Sequence, residues 1–276
     1  EYSISNEGNW IMKKLIYQFA VGRQSKLYQH CIQSAKDYAD KVGADYHLLT
    51  QPKLRIVPDV FRTEREGKCG GWKNLGYLPI FEKQNVFEFF DDYDQILYLD
   101  CDIYVRPEAS NIFEELEPEY AFGGVCECDM PVNGAHMIKL KQYSYMQYGQ
   151  VANKMTGWRF HDACGLEFFN MGMMLMNTAA LKPYLKGQTP RQFIERPEFK
   201  DMVDGVGYYK WSTDQTLMNY WLKKDNIPTK YLDWKYNGLF GSLWGDNIKE
   251  CDFVHFYLKD KLPENGENIE SLMAQI

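Results

Sequence analysis

The chain has no block of lysines or arginines, no apolar stretch of membrane length and no internal repeat, and each absence removes a class of function. Its 31 basic residues are outnumbered by 38 acidic ones, for a formal net charge of −7. That excludes a nucleic-acid binder working through a basic surface. A nucleotide ligand stays possible, because a bound cation can neutralise a diphosphate locally. No segment reaches the roughly eighteen consecutive apolar residues of a transmembrane helix. Low-complexity tracts and Pro/Gly/Ser-rich linkers are also missing, which favours one compact domain over the 276 residues. No signal-peptide pattern is visible, although the chain begins at Glu1 rather than Met, so its start does not define a native N-terminus. The seven cysteines are scattered, and Cys126 and Cys128 lack partners at zinc-ligand spacing. Free, mostly buried thiols in a reducing compartment are the simpler account, with a cytoplasmic address expected.

What the chain does have is apolar and aromatic substance. Hydrophobic residues make up 45% and aromatic ones 16%, with 20 Tyr and 7 Trp. A Tyr-rich core explains most of this excess, and platforms for sugars or bases are the functional alternative. Leu15–Val21 reads as a short buried strand ended by Gly22. Ser25 is a fair N-cap for a helix whose apolar positions recur from Leu27 to Val42, closed by Gly43. Asp45–Thr50 is a second strand, so the unit is β-α-β and the sheet parallel there. Pro52–Gly71 is charged and loop-like, and Trp72–Phe90 has helix-compatible spacing broken near Pro79. Further strands are expected at Gln95–Leu99, Phe169–Met176 and Phe253–Phe256, with a helix at Asp214–Leu222. Between about Cys126 and Phe168 no period emerges, and a long irregular insert building an acceptor pocket or a lid is expected. The whole reads as an open mixed sheet covered by helices.

Chemistry concentrates at Asp100-Cys101-Asp102, directly after the apolar Ile96–Leu99. Ligands of open α/β sheets gather at the carboxyl ends of parallel strands. Side chains two apart on an extended segment share a side, so both carboxylates can converge on one hard cation such as Mg²⁺ or Mn²⁺. A turn in which each Asp caps backbone N–H groups is the structural alternative. Downstream come Phe169-Asn170-Met171-Gly172, then Thr213-Asp214-Gln215 at a helix start, then Tyr236-Asn237 and His255-Phe256.

In order and spacing these motifs resemble the GT-A glycosyltransferases, most closely the family 8 type and its viral and bacterial relatives, from Leu15 to about Lys261. The resemblance implies a Rossmann-like, mostly parallel mixed sheet flanked by helices in a single domain over residues 1–276. Its nucleotide-sugar part would span about 12–105, and its acceptor, insert and C-terminal part about 106–276. It implies that Asp100, Asp102 and His255 hold the metal, Mn²⁺ or Mg²⁺, and that Asp100 and Asp102 also meet the donor. Asn170 and Lys73 would contact the donor, and Lys261 its diphosphate, with Lys259 as the rival. The family's glycine three residues after the histidine is Leu258 here, which puts the loop geometry in question. Asp214 and Gln215 would lie beneath the transferring sugar, with ordinary capping of free N–H groups as the alternative for an Asp at a helix start. The position after strand one, often acidic or amide in the family, is Gly22-Arg23-Gln24.

The implied activity is transfer of a hexose or similar sugar from a nucleoside-diphosphate sugar, expected to be a UDP-sugar. The acceptor would be a hydroxyl on a glycan, protein or lipid. Charge building on the departing diphosphate calls for a cation and a lysine. Two rivals share parts of the pattern. A haloacid-dehalogenase-type phosphatase also ends a strand in Asp-x-Asp, but it wants Thr or Val where Tyr104 stands. A non-catalytic sugar-binding fold-mate would not need Asp100, Asp102 and His255 together.

Overall fold

The computed structural model describes residues 12–22, 24–58, 75–258 and 261–276. Lys73 and Lys259, and most of the charged stretch before Gly71, lie outside the described residues. The first unit forms as its sequence dictates: strand β1 (Lys14–Phe19), helix α1 (Lys26–Val42) and strand β2 (Asp45–Leu49). The Ser25 side chain accepts from the Tyr28 N–H at the start of α1, and Gly43 ends it in the left-handed region at φ 65°. Positive φ is the conformation glycine adopts without a Cβ clash. Leu27, Cys31, Ala35, Tyr38 and Ala39 bury one stripe of α1.

A buried 3₁₀ helix (Pro79–Phe89) leads to strand β3 (Gln95–Leu99), from which the chain turns into β4 (Ile103–Val105). Then follow β5 (Phe122–Cys126), helix α2 (Gly134–Ala152), the short pair β6 (Phe160–His161) and β7 (Gly165–Leu166), and the long β8 (Phe169–Asn177). Three short helices succeed it, α3 (Thr178–Leu185), α4 (Pro190–Ile194) and α5 (Lys200–Asp204), before α6 (Asp214–Lys224). Strands β9 (Thr229–Tyr231), β10 (Gly238–Leu239) and β11 (Phe253–His255) and helix α7 (Ile269–Met273) complete the chain.

The main sheet has the order β2-β1-β3-β8-β5-β9. β1 pairs parallel with β2 and β3, and β5 with β9, while β8 runs antiparallel between β3 and β5. The expected mixed, mostly parallel sheet is therefore present. Every residue of β3 is buried. Ile96 and Tyr98 enter the core on one face, and Leu97 and Leu99 the core on the other. Period-2 alternation with both faces apolar is what a central strand under two helical layers requires. A second sheet, β10-β11-β4, abuts the first at the β3–β4 turn.

Three expectations are corrected. The region from Cys126 to Phe168 is not irregular, since α2 occupies 19 of its residues. Its periodicity was hidden because only Leu140, Ser144, Tyr148 and Val151 are buried, while Ile138, Tyr143, Tyr145 and Met146 stay exposed on other sides. The segment before Phe90 is a 3₁₀ helix whose polar residues Glu82, Lys83, Gln84 and Asn85 are buried with its apolar ones. The thiols are not all free: Cys128 and Cys164 form a disulfide with Cα atoms 5.8 Å apart. It closes the segment carrying α2, while Cys31, Cys101, Cys126 and Cys251 remain thiols.

Candidate active site

Asp100 and Asp102 do not sit on an extended segment. They occupy the turn between β3 and β4, closed by the Ile103 N–H donating to the Asp100 carbonyl at 3.1 Å. Convergence comes from strand pairing instead. β11 lies antiparallel to β4 with His255 opposite Ile103, and the Phe256 N–H donates to the Asp102 carbonyl at 2.9 Å. His255 Nε2 thereby comes to 3.2 Å from Asp102 Oδ1. One ligand atom each from Asp100, Asp102 and His255 lies within 4.8 Å of the others. Asp102 Oδ1 is buried and faces only the imidazole, whose Nε2 can donate to it only when the ring is protonated. Two carboxylates and an imidazole, one carboxylate oxygen facing only the ring, fit a hard divalent cation such as Mn²⁺.

The seat of His255 is built from behind. A Cβ on Gly172 would meet His255 Cε1 at 2.4 Å and Nδ1 at 2.9 Å, so the ring fits only because residue 172 has no side chain. The Gly172 N–H donates to Asn170 Oδ1 at 2.9 Å, which fixes that atom as an acceptor. Asn237 Nδ2 donates to the same oxygen at 3.0 Å, leaving Asn237 Oδ1 to meet His255 Nδ1 at 2.9 Å. An oxygen there requires the hydrogen on Nδ1, so the neutral ring presents the lone pair of Nε2 to the two aspartates. A backbone N–H thus sets the tautomer of a prospective metal ligand through two amides. Burial by itself would favour the neutral ring, but the carboxylates of Asp102 and Asp100 outweigh it and lift the His255 pKa above its usual value.

Sequence reasoning missed the cation at the centre. Lys83 projects from the 3₁₀ helix, with Nζ 3.0 Å from Asp100 Oδ1, 2.9 Å from Asp214 Oδ2 and 3.1 Å from the Met171 carbonyl. Burial opposes its charge, yet Asp100 and Asp214 hold its pKa above that of an ordinary lysine. Burial raises the pKa of Asp100; Lys83 works against that rise, and Asp102 adds to it. The one signal for Lys83 was a lysine inside a segment otherwise reading as core. Asp214 begins α6 and is paired rather than capping. The Gln215 Oε1 accepts from the Met171 N–H at 3.2 Å, tying the start of α6 to β8. Asn170 lies among these groups and donates to Glu127 Oε1 at 2.7 Å.

Lys261 stands apart from this cluster. It is exposed and lines a cavity of about 620 Å³ together with His136, Ser242 and Tyr257. Leu258 takes the conformation that the expected glycine would, with φ 57°, and the Lys261 N–H donates to its carbonyl at 2.8 Å.

The sequence profile described as glycosyl transferase family 8 matches residues 73–261, more than half of the chain. The chain belongs to glycosyl transferase family 8. Among solved structures it is similar to the galactosyltransferase LgtC in complex with donor and acceptor sugar analogues, at 14% identity and TM-score 0.51. That match covers 95% of this chain and 94% of the other. A glycosyltransferase involved in glycosylation of the major capsid of PBCV-1 matches at 14% identity and TM-score 0.45, covering 94% and 99%. Mouse xyloside xylosyltransferase 1 matches at 12% and 0.47, covering 91% and 99%. No curated protein matches the chain. The family makes the protein a GT-A glycosyltransferase and removes the phosphatase reading. Among the described residues no helix is long and apolar enough to cross a membrane.

Proposed function

We propose that this family 8 enzyme transfers a hexose or similar sugar from a UDP-sugar to a hydroxyl of a glycan, glycoprotein or lipid, using Mn²⁺ or Mg²⁺. The observation that carries the reading is the convergence of Asp100, Asp102 and His255 around a buried carboxylate oxygen, next to the Lys83–Asp214 pair. A bound divalent cation would offset the charge that builds on the departing diphosphate.

The protein's own groups do the rest. Lys83 pairs with both Asp100 and Asp214 and would hold the two carboxylates in place beside the cation site. Asp214 and Gln215, at the α6 N-terminus, would stand beneath the sugar and stabilise positive charge at its anomeric carbon. Gln215 is already anchored on the β8 backbone, which fixes its carbonyl dipole. Asn170 would orient the donor sugar through the edge of its amide. Lys261, on the turn after Tyr257, would meet the diphosphate from the solvent side. The resemblance to family 8 supports retention of anomeric configuration.

Asp102→Ala tests the metal assignment. Calorimetry should show Mn²⁺-dependent UDP binding lost while the melting temperature without ligand is kept. Unchanged UDP affinity in the presence of Mn²⁺ would sink the assignment.

A further inference from the structure

The disulfide and the donor side of the site meet at one residue. Cys128 lies in the 3₁₀ turn Glu127–Asp129 that follows β5, and Cys164 lies between the short strands β6 and β7. Glu127, directly before Cys128, is a carboxylate only 7% exposed. Its Oε1 accepts from Asn170 Nδ2 at 2.7 Å. Its Oε2 lies 3.8 Å from His136 Nε2, beyond hydrogen-bond reach. Among the described residues, Asn170 is thus the one side chain that donates to this carboxylate.

The Asn170 amide is held from two sides. Its Oδ1 accepts from the Gly172 N–H and from Asn237 Nδ2, and its Nδ2 gives one of two hydrogens to Glu127. The second hydrogen is left for a ligand. With Glu127 withdrawn, the amide keeps the anchors on its oxygen and loses the one on its nitrogen.

The Cys164 end of the disulfide is fixed by other contacts. The β6–β7 hairpin pairs Phe160 with Leu166 and His161 with Gly165. The Leu166 N–H donates to Ser144 Oγ of α2 at 3.1 Å, and Lys141 Nζ to the Asp162 carbonyl at 2.7 Å. Just after the hairpin, the buried Glu167 carboxylate accepts from the Tyr231 hydroxyl at 2.9 Å and pairs with Lys223 of α6. The Cys128 end rests on a three-residue turn that continues into the exposed Asp129. Its covalent bond to the anchored hairpin ties that turn down. The neighbouring Cys126 thiol does not exchange with this bond, because burial pushes its pKa up to about 12 and keeps it protonated.

We propose that Glu127 is a positioning residue that orients Asn170, and that the Cys128–Cys164 disulfide holds Glu127 there, so that donor-sugar recognition responds to dithiol reductants. The word donor rests on the glycosyltransferase reading; the orientation of Asn170 is tested without it. Cys128 is half-buried and Cys164 buried, so a dithiol attacks Cys128. Its thiolate forms a mixed disulfide with Cys128, and Cys164 leaves as a thiolate that takes up a proton. The second thiolate of the reductant displaces Cys128 and closes a cyclic disulfide. Two electrons and two protons pass from the dithiol to the two cysteines.

The full chain is compared oxidised and after dithiothreitol, the reductant being removed anaerobically before Mn²⁺ is added. Mass spectrometry of alkylated protein counts the two new thiols, and circular dichroism follows the fold. Of UDP-glucose and UDP-galactose, the tighter should bind the reduced chain about tenfold more weakly, while UDP itself stays within twofold. Glu127→Ala, kept oxidised, should show the same loss and no further loss on reduction. Glu127→Gln, whose amide oxygen can still accept from Asn170, should recover most of that binding. In NMR spectra without ligand, reduction and Glu127→Ala should each shift the side-chain amide resonances of Asn170. A further loss on reducing Glu127→Ala, an equal loss for UDP, or no recovery in Glu127→Gln would overturn the proposal. So would Asn170 resonances that ignore both changes, or a reduced chain that no longer melts cooperatively. If neither UDP-sugar binds the oxidised parent, the donor reading fails, and the Asn170 resonances decide the role of Glu127 by themselves.

Discussion

Two sets of lysines divide this molecule into regions built on opposite principles. Lys83 is buried at the carboxyl end of the main sheet, locked between Asp100, Asp214 and the Met171 carbonyl. Lys139 and Lys261 line the cavity of about 620 Å³, which has no Asp or Glu among its described lining residues. The first kind holds a geometry fixed, because breaking a buried ion pair strands charge in a dry interior. The second leaves its charge to whatever arrives. A locked lysine at the strand ends and solvent-facing lysines at a cavity rim thus coexist in one short chain.

The sharpest way to break this contrast is Lys83→Met. It should destabilise the fold by about 3–5 kcal/mol by leaving Asp100 and Asp214 uncompensated, and transfer should fall below detection. Urea denaturation and a UDP-sugar turnover assay read the two effects. Stability unchanged to within about 0.5 kcal/mol would place Lys83 with the surface lysines.

Asn237→Ala comes next. Without the amide oxygen on Nδ1 the His255 ring loses its preferred tautomer, and Mn²⁺ affinity should drop about 10- to 100-fold. Calorimetry measures the affinity, and ¹⁵N shifts of the imidazole measure the tautomer directly. A ring that keeps its hydrogen on Nδ1 in the variant would show that the amide relay is not what sets it.

The smallest effect belongs to Leu258. Leu258→Gly should raise stability by about 0.5–1 kcal/mol, because an L-residue at positive φ is strained and the side chain is largely exposed. A lower urea midpoint would mean that Leu258 contributes packing that outweighs its backbone strain.

The parts legible in the sequence were those where burial is complete and local. The strands Lys14–Phe19, Gln95–Leu99 and Phe169–Asn177 read as apolar runs because both their faces are covered. Helix α1 was legible to its caps because Ser25 and Gly43 each satisfy a local need. That Asp100, Asp102 and His255 come together was legible in motif order, although the reason offered for their convergence, an extended segment, was not the one that operates. Lys83 escaped because its partners are remote in sequence, and a lysine there could as well have been solvated. Helix α2 escaped because its exposed face carries Tyr and Met, which erases the contrast on which periodicity depends. The Cys128–Cys164 pair joins residues 36 apart, and scattered cysteines do not announce such partners. Asn237 was quoted as part of a motif and given no task; only its contact with His255 supplies one.

The turn that carries Asp100 and Asp102 is also the seam between two sheets. Asp100 directly follows β3 of the six-stranded sheet, while Asp102 directly precedes β4 and His255 ends β11 of the three-stranded one. A cation held by all three would act as a rivet across that seam. Its occupancy would then be felt as mechanical closure of the domain, and melting temperature would climb with metal concentration even before any sugar nucleotide is present.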